Sequence, residues 1–571
     1  MKLWIIVVML GVGTCCFCSA ASGENAFDFV VMADPHGYFY DDIIDQVNLI
    51  DPQPAFVLVN GDVIGRPSPR EAVLQQWAYV DVAFARFNAP VITTPADRDV
   101  AHPDGYKVYK ERYGHTYTSF DHGNSHFIVL CCFEPERKVD VGLDSKQIEW
   151  LKKDLEANKN ADHIFVFIPN PIWDRDDWQH HDLLAQYAVR AVFTGDNHKY
   201  SLARELDGVQ YFFVGSCSLP MGGYFRNFVL MSVDEENVHT EVVKYTGERF
   251  PHTMASGKAS AIPLQMHNAT TFKKIEISEG THQTDILCWL KNPLTFQAGL
   301  EYKWETAGTT WKVFPSNGSV PLSPKGKLKL AGGGIFDPDV PVPIPSLAGT
   351  VTLEDGTKVP FEVPYQPIIR RHAVANKLAR APVLDGTTTV KEYAGAKTHG
   401  GFLDYHGRSV PHFDTAFKVT YDNQNLYLAI TAEEPEPEGI LTRAEERDGD
   451  VFSDDAIEIF IDVNLDRKTY RQFALNLGGA TYDADGYYPE WDAEWQAKTT
   501  IDEKNYSMEI VIPFASLEVE MPKPGDTWGL NVYRTRHVTG KKKTPFEEVT
   551  AWNMTYDTFH TPTHFGNLTF E

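Results

Sequence analysis

Carboxylate and imidazole side chains recur directly after apolar, strand-like segments in the N-terminal third of the chain. In chain order, the residues at these segment ends are Asp34, His36, Asp62, Asp97, Arg98, Asp196 and His198. All but the arginine offer oxygen or nitrogen donors, and a divalent metal ion requires such donors to converge from rigid elements. The pattern therefore predicts a metal centre.

The elements that must position these side chains alternate between Phe27 and Tyr245. Segments such as FDFVVMAD and HIFVFIPN have the length and composition of buried strands, whereas DDIIDQVNLI and SKQIEWLKKDLEANK have helical periodicity. This alternation predicts an α/β domain. The later segments VQYFFVGS, NFVLMSVD and HTEVVKY predict antiparallel strands. Because ligands of open α/β sheets gather at the carboxyl ends of strands, we expect the metal centre there.

The segments that carry these residues read DPH, GD, ADRD, PNP and GDNH in chain order. They resemble the motifs of the calcineurin-like metallophosphoesterases, which are DxH, GD, GNH followed by an acid, a histidine two residues before a proline, and GHxH. The resemblance implies a four-layer α/β/β/α sandwich over residues 26–247. It also implies hydrolysis of a phosphomonoester or phosphodiester at two metal ions that share a bridging carboxylate.

The first of the two implied metal sites is complete. It would use Asp34, His36, the bridging Asp62 and His198, so we expect one divalent ion as a cofactor. Arg98 stands where the family has a histidine that assists phosphate binding and the leaving group. Its guanidinium can hold two phosphoryl oxygens, but with a pKa above about 12 it cannot donate a proton. Arg98 and Asp62 are therefore the candidate catalytic residues.

The second implied site is degenerate. Asp97, Pro169 and Asp196 stand where the family has an asparagine and two histidines, and Pro169 has no side-chain donor. Crowded carboxylates raise one another's pKa, so either a second cation binds among them or Arg98 pairs with them. An all-oxygen site would favour a hard ion such as Mg²⁺, Mn²⁺ or Ca²⁺. Two functions stay open: hydrolysis of a small phosphate ester, or ligand binding by a pseudo-phosphoesterase.

Several other residues have types that could do chemistry. We interpret the adjacent His180 and His181, with the acidic segment DRDDW before them, as a solvated loop. Cys131 and Cys132 lie in the strand-like HFIVLCCF, and we interpret them as small buried hydrophobic residues rather than disulfide partners.

Residues 255–368 have a different texture from the α/β region. Strand-length segments such as TDILCWLKN and TWKVFP are separated by Gly, Pro and Asn turns, without helical periodicity. This pattern predicts an immunoglobulin-like β-sandwich that acts as a spacer. The basic segment IIRRHAVANKLAR predicts a linker to the last domain.

Residues 380–571 carry the segments NLYLAITAEEP, DVFSDDAIEIFID and RQFALNLGGATYDADG in that order. The order resembles the family 9 carbohydrate-binding modules, which implies a β-sandwich that binds a polysaccharide or glycan. A sugar needs an aromatic face and polar groups for its hydroxyls. The candidates are Tyr487, Tyr488, Trp491, Trp495 and Trp552 for the face, and Asp454, Asp455, Asn476 and Arg534 for the hydroxyls. Burial of each aromatic ring, or a Ca²⁺ site at the acid pair, is the alternative.

The composition and the first residues restrict the compartment and the partners. The chain has 571 residues and a formal charge of −26, which disfavours nucleic acid and anionic membranes as partners. Residues 1–21 have the charge, apolar run and small residues of a signal peptide, so we expect a secreted or periplasmic protein. A short membrane anchor, or a lipid anchor at Cys15, Cys16 or Cys18, is the alternative. No later apolar run has the length of a membrane span.

Overall fold

The computed structural model describes residues 26–37, 40–133, 142–171, 179–388, 391–537, 547–556 and 558–571. The predicted signal peptide, its cysteines and the DRDDW segment lie outside these residues. Within the described ranges, the helices are all too short or too polar to cross a membrane.

The N-terminal region is an α/β domain, as its alternating pattern predicted. Its strands are β1 (Phe27–Met32), β2 (Val57–Asn60), β3 (Val91–Thr94), β4 (Thr118–His122), β5 (Ser125–Val129), β6 (His163–Phe167), β7 (Val189–Thr194), β8 (Ser201–Leu206), β9 (Val209–Phe213), β10 (Asn227–Val233), β11 (Val238–Lys244) and β12 (Arg249–Pro251). Its helices are α1 (Asp41–Asn48), α2 (Arg70–Phe84), α3 (Asp97–Val100), α4 (Pro103–Tyr113), α5 (Ser145–Ala157) and α6 (Gln179–Leu184).

These strands form two six-stranded sheets, ordered β12-β11-β10-β1-β2-β3 and β4-β5-β6-β7-β9-β8. β1, β2 and β3 are parallel, as are β5, β6, β7 and β9. The predicted antiparallel strand VQYFF is therefore only partly right, because β9 runs parallel to β7 and antiparallel to β8. Phe29 of the first sheet contacts Phe127 and Phe165 of the second in one buried cluster.

The helices cover the outer faces of these sheets. Val47 of α1 and Trp77 of α2 are buried in a cluster with residues of the first sheet. Leu151 and Leu155 of α5 are buried in a cluster with residues of the second sheet. Because central strands such as β2, β5 and β6 are buried on both faces, their ends are held rigidly, and the loops that follow such strands can carry a site.

The middle region is β-rich. Its strands are β13 (Thr270–Phe272), β14 (Glu276–Ser278), β15 (Gln283–Lys291), β16 (Ala298–Glu305), β17 (Lys312–Phe314), β18 (Asn317–Leu322), β19 (Lys327–Ile335), β20 (Ser346–Thr352), β21 (Lys358–Pro364) and β22 (Ile368–Arg370). Its main sheets are ordered β13-β15-β19-β17 and β18-β16-β20-β21. Helix α7 (Ile262–Ala269) was not predicted; Ile262 and Met266 pack into the core beside β21, and the short length hid the periodicity. The immunoglobulin-like topology stays a prediction.

The C-terminal region is a β-rich domain with one strand network. Its strands are β23 (His372–Lys377), β24 (Leu403–Asp404), β25 (Thr415–Tyr421), β26 (Asn425–Glu433), β27 (Ala456–Asp462), β28 (Arg471–Asn476), β29 (Thr481–Asp485), β30 (Gln496–Ile501), β31 (Asn505–Pro513), β32 (Thr527–His537), β33 (Glu547–Ala551) and β34 (Gly566–Phe570). Short 3₁₀ helices of this region lie at Pro437–Gly439, Val451–Ser453 and Pro562–His564. Two others, at His252–Ala255 and Gly257–Ala261, precede α7.

The junctions between these regions are ordered. The predicted linker is instead two strands: β22 pairs with β14 of the middle region, and β23 pairs with β34 and β25 of the last. Only Arg371 separates them; it is buried, and its Nη1 donates to the Gly400 carbonyl at 3.1 Å. At the first junction, the buried Lys244 Nζ lies 2.9 Å from Glu305 Oε1 and 2.8 Å from Glu362 Oε2.

Candidate metal centre and carbohydrate surface

Asp34, His36 and His198 form a cluster at the carboxyl ends of β1 and β7. One ligand atom from each of the three lies within 4.8 Å of the others, and within the described ranges they are the one such group of acids, histidines and cysteines. His36 Nε2 lies 3.0 Å from His198 Nε2 and 3.8 Å from Asp62 Oδ2. The structure therefore brings together the four residues of the implied first site.

The backbone at these positions is unusual. The residues Asp34, His36, Asp62, Asp196 and His198 all have φ between 49° and 68°. This left-handed conformation is disfavoured for residues other than glycine and clusters at functional sites. Each strand end thus turns sharply, so that residues two apart, such as Asp34 and His36, both face the crevice.

A loop after β9 holds two of the ligands in place. The hydroxyls of Ser216 and Ser218 each donate to the backbone carbonyl of Asp34 at 2.9 Å. The Leu219 carbonyl accepts a hydrogen bond from His198 Nδ1 at 2.6 Å, which fixes the ring and leaves Nε2 facing His36. These residues were not predicted from the sequence, although the polar run in GSCSLP directly after a strand was an available signal.

Asp99 is a second residue that the sequence analysis missed. Its carboxylate is buried and accepts from the backbone N–H groups of Ile64 at 3.0 Å and Ala96 at 2.9 Å. It therefore joins the loop that carries Asp62 to the loop that carries Asp97. Asp99 orders the site and does not face the cluster as a ligand.

Burial and like charges dominate the electrostatics of the cluster. Burial, together with Asp196 and Asp97, raises the pKa of Asp34 well above its ordinary value. Burial and the neighbouring carboxylates raise the pKa of Asp62 to about 10. Burial and the adjacent His198 lower the pKa of His36 to about 3. A bound cation would reverse the cost of charging the carboxyl groups, while the imidazoles are already neutral, as metal binding requires.

The donor set fits a divalent ion. Asp34 Oδ2 is buried and has no hydrogen-bond partner, whereas Oδ1 accepts from the backbone N–H of Asp196 at 3.0 Å. The two imidazole Nε2 atoms meet beside it. An orphaned carboxylate oxygen and two convergent imidazole nitrogens are the mixed oxygen and nitrogen ligands of zinc, iron and manganese sites.

The residues of the implied second site surround this cluster without forming a second one. Repulsion from Asp97 contributes to the raised pKa of Asp196, after the larger effect of burial, and the Asn170 side chain hydrogen-bonds to Asp196. Pro169 packs against Gly61, in the loop that carries Asp62, since a Cβ added to Gly61 would meet the Pro169 Cβ at 2.7 Å. Arg98 Nε lies 3.8 Å from Asp97 Oδ2, and its side chain is 53% exposed. Arg98 therefore stands at the rim, and its backbone N–H donates to Asp62 Oδ1 at 3.3 Å.

The interpretation of the histidine pair as a solvated loop is wrong for His181. It lies on α6 and is buried, with Nδ1 2.7 Å from the Tyr211 hydroxyl and Nε2 3.2 Å from Asp207 Oδ2. Its role is to pin α6 to the second sheet. Cys131 and Cys132 are buried and lie outside any disulfide, as predicted.

Most of the candidate sugar contacts in the last domain are interior residues. Trp552 and Trp495 lie in the main core, and Trp495 Nε1 donates to Asp483 at 3.1 Å. Asp454 is bound by Arg443 and Asn476. These residues cannot present a face or a free oxygen to a sugar, which corrects the expectation for them.

Asp455 and Arg534 are interior as well. Asp455 accepts from the backbone N–H groups of Leu441 at 2.7 Å and His537 at 3.0 Å. Arg534 is buried and donates to the Glu433 carbonyl at 2.6 Å. The alternation of polar and apolar residues in this β-rich domain did not distinguish such buried polar groups from surface ones.

Tyr487 and Tyr488 are open to solvent. They lie just after β29 and are 69% and 72% exposed. Tyr487 stacks on His560, with ring centroids 4.4 Å apart, and Arg471 lies over the half-buried Trp491 ring at 4.7 Å. This group of residues is called the tyrosine platform below; it combines aromatic faces with hydrogen-bonding groups.

Comparison with known families agrees with both parts of the fold. Residues 27–200 match the family model of calcineurin-like phosphoesterases, and residues 384–571 match that of carbohydrate family 9 binding domain-like proteins. The chain joins a phosphoesterase-like domain to a carbohydrate-binding module. Tartrate-resistant acid phosphatase type 5 of Homo sapiens is 33% identical over 91 residues, 14% of this chain and 28% of that protein. The match thus spans less than a third of this relative.

Solved structures resemble each domain at low identity. A family 9 carbohydrate-binding module from Caldicellulosiruptor kristjanssonii, in complex with cellotriose, is 16% identical, covers 35% of this chain and 93% of its own, and has a TM-score of 0.28. A purple acid phosphatase from yellow lupin (Lupinus luteus) seeds is 16% identical, covers 40% and 53%, and has a TM-score of 0.32.

Proposed function

We propose that this protein is a secreted, metal-dependent phosphoesterase-like hydrolase that its carbohydrate-binding module holds on a polysaccharide. The observation that carries the proposal is the convergence of Asp34, His36 and His198 around a buried carboxylate oxygen without a partner. We further propose that the first domain is a four-layer α/β/β/α sandwich. For the middle region we propose an immunoglobulin-like β-sandwich that acts as a spacer.

Asp34, His36, Asp62 and His198 would hold one divalent ion. Such an ion supplies a water molecule of lowered pKa and neutralises the charge of a phosphoryl group. The protein's own contribution is to keep these ligands in one geometry: the Leu219 carbonyl orients His198, and Asp99 fixes the loop of Asp62. Positioning of this kind, rather than proton transfer by the protein, is the main requirement of phosphoryl transfer.

Arg98 would bind the substrate. Its exposed guanidinium at the rim can donate hydrogen bonds to two phosphoryl oxygens in a bidentate contact. Since an arginine cannot protonate a leaving group, we propose that the substrate is a small phosphate ester with a good leaving group, such as an aryl ester. Asp62, Asp97 and Asp196 would take a second, hard ion such as Mg²⁺, Mn²⁺ or Ca²⁺ when substrate phosphate completes the ligand set.

The carbohydrate-binding module would bind its glycan on the tyrosine platform. Tyr487 and Tyr488 offer ring faces to the C–H side of a pyranose, and Trp491 with Arg471 lies beside them. Attachment to a polysaccharide would raise the local concentration of phosphate esters that share that surface.

The second candidate function is a non-catalytic glycan-binding protein with a pseudo-phosphoesterase domain. Pro169 favours this second function because proline has no side-chain donor, so no rotamer can supply the metal ligand that the family has at this position. The Asn170 side chain also hydrogen-bonds to Asp196 and lowers its pKa, so the charged form of Asp196 is partly stabilised without a metal.

Metal analysis and turnover on the purified full chain separate these functions. We expect about one equivalent of a transition metal per chain and hydrolysis of an aryl phosphate mono- or diester, both lost in Asp34→Asn. The matched control is Asp45→Asn, an exposed acid on α1 away from the cluster. Metal without turnover would favour the pseudo-enzyme, and a metal content no higher than in the Asp34→Asn variant would reject the metal centre.

A further inference from the structure

The sheet β13-β15-β19-β17 of the middle region turns an unusual face to solvent. Ile286, Leu290 and Val313 point into its core, so the alternate residues on the same strands point outward. The outward side chains are Gln283, Asp285, Leu287, Trp289, Lys291, Lys312, Phe314, Lys327, Lys329, Ala331 and Ile335, so that four lysines face solvent against the one acid, Asp285. Trp289 is 39% exposed and Phe314 is 57% exposed. Large apolar side chains that are grouped on an open face mark a contact surface.

A glycine, Gly333, lies on β19, the strand between those that carry Trp289 and Phe314. Gly333 on β19 lies opposite Phe314 on one side and Asp285 on the other, and Trp289 lies opposite Lys329 on the same strand. A Cβ at Gly333 would approach only the Thr284 carbonyl oxygen, at 3.4 Å, which is an ordinary contact. Packing does not require glycine there, and a glycine inside a strand weakens it. Its effect is to leave the outer face of β19 without a side chain beside Phe314, about 13 Å along the strand from Lys329, which lies opposite Trp289.

The charge of this face reverses that of the chain. Lys291, Lys312, Lys327 and Lys329 all point outward, in a chain with a formal charge of −26. Lys291 and Lys327 are direct cross-strand neighbours. Like charges in this position destabilise a sheet, and a bound anion would remove that cost.

We propose that this face binds an acidic polysaccharide, whose pyranose rings stack on Trp289 and Phe314 and whose carboxylate or sulfate groups contact the lysines. Aromatic side chains recognise the C–H face of a sugar, and lysine ammonium groups are point charges suited to anionic groups. The middle region is then a second binding module rather than a spacer. This inference does not depend on the metal centre or on the tyrosine platform, which lie in other regions of the chain.

Binding of the full chain to immobilised polygalacturonate and to neutral dextran tests the proposal. We expect binding to polygalacturonate that weakens with salt, and none to dextran through this face. Lys312→Glu/Lys329→Glu, Trp289→Ala and Gly333→Val should each weaken polygalacturonate binding at least tenfold without changing the unfolding temperature of the chain by more than a few degrees. The controls are Lys152→Glu/Lys153→Glu on α5, and Gly299→Val on β16, where an added Cβ would meet only Thr352, at 3.8 Å; both should bind as the parent does.

Three outcomes would overturn this assignment. Loss in the lysine variant, with full binding in Trp289→Ala and Gly333→Val, would mean simple ion exchange. Equal affinity for a single-stranded DNA oligonucleotide would mean a general polyanion site. Equal weakening in the control variants would place the site elsewhere. Each variant is also compared in a Tyr487→Ala/Tyr488→Ala background, so that any binding at the tyrosine platform is measured separately from binding at this face.

Discussion

His36 Nε2 and His198 Nε2 lie 3.0 Å apart, although 162 positions separate the residues in the chain. Two neutral imidazoles at this distance share one proton, and an ion between them would replace that contact. Their side chains come from loops after β1 and β7, which belong to different sheets. The cluster therefore exists only when both sheets are in place.

Metal binding should release protons. Burial and neighbouring charges raise the pKa of Asp62 to about 10, so its carboxyl group is protonated at neutral pH before an ion binds, and they raise the pKa of Asp34 in the same direction. Affinity should rise with pH, by up to tenfold per pH unit for each proton released. Titration calorimetry with Zn²⁺ or Mn²⁺ in two buffers of different ionisation enthalpy measures the proton count. A count of zero would contradict the raised pKa values.

Restoring family ligands should create the second site. In Asp97→Asn/Asp196→His, the asparagine removes the Asp97 charge that repels Asp62, and the histidine adds a nitrogen donor. We expect metal content to rise from about one towards two equivalents and turnover of an aryl phosphodiester to increase. Asp97→Asn alone is the control. Unchanged stoichiometry would mean that Pro169 by itself prevents the second ion from binding.

Ser216→Ala should weaken metal binding without contacting the metal. The Ser216 hydroxyl donates to the Asp34 carbonyl at 2.9 Å and accepts from the Leu219 N–H at 2.8 Å, so it orders one ligand and the residue that orients His198. Loss of such supporting groups costs about 10–100-fold in affinity. Competition with a chelator measures the change. Ser125→Ala, at a buried serine on β5, should leave affinity as it was.

Aromatic substitutions in the carbohydrate-binding module should separate binding from folding. Tyr487→Ala and Tyr488→Ala should abolish glycan-array binding with little effect on stability, because both side chains are mostly exposed. Trp552→Ala should destabilise the module by about 3–5 kcal/mol, since its ring fills the core. Thermal unfolding of each variant is the second measurement. Retained glycan binding in Tyr487→Ala/Tyr488→Ala would show that the tyrosine platform does not bind the glycan.

The stability of the phosphoesterase-like domain should fall as the pH rises above about 6.5. His126 Nδ1 lies 2.6 Å from Asp121 Oδ1, and its Nε2 lies 2.8 Å from Asp154 Oδ2. Burial lowers the pKa of His126, but these carboxylates outweigh it and raise the pKa above its ordinary value. A raised pKa means that the folded form holds the proton more tightly, so stabilisation is complete below the unfolded pKa and is lost above the folded one.

Unfolding temperatures between pH 5 and pH 9 test this relationship. The slope should flatten in His126→Asn and persist in His122→Asn, where burial lowers the pKa of a histidine on the same hairpin. Identical slopes in all three proteins would show that His126 does not titrate over this range.

The sequence predicted the metal centre because strand ends are fixed points of an α/β fold. Asp34, Asp62 and His198 each follow an apolar run, and parallel strands bring such ends to one edge. The supporting residues escaped prediction for the opposite reason. Ser216 acts through its hydroxyl on the backbone of a residue 182 positions away, and no local pattern reveals such a contact.

The carbohydrate residues show a different limit. Trp552 and Tyr487 are both aromatic residues beside Asp- and Asn-rich turns, yet one is buried and the other is exposed. In a β-rich domain, the face of a sheet that a residue occupies depends on register and on the partner sheet, and neither is written in the local segment. Asp454 illustrates the same point, because its partners Arg443 and Asn476 lie 11 and 22 positions away in the chain.

The single residue between β22 and β23 has a mechanical consequence. Because Arg371 is buried and both neighbours are paired strands, torque on the last domain passes directly into the middle one. If the C-terminal domain is bound to a surface, this rigid connection would therefore hold the metal centre at a fixed distance from that surface and in a fixed orientation. Only substrate groups that protrude by a matching distance from that surface would meet the metal centre. Inserting a few glycines between β22 and β23 would let the metal centre sample more distances, with a less defined orientation.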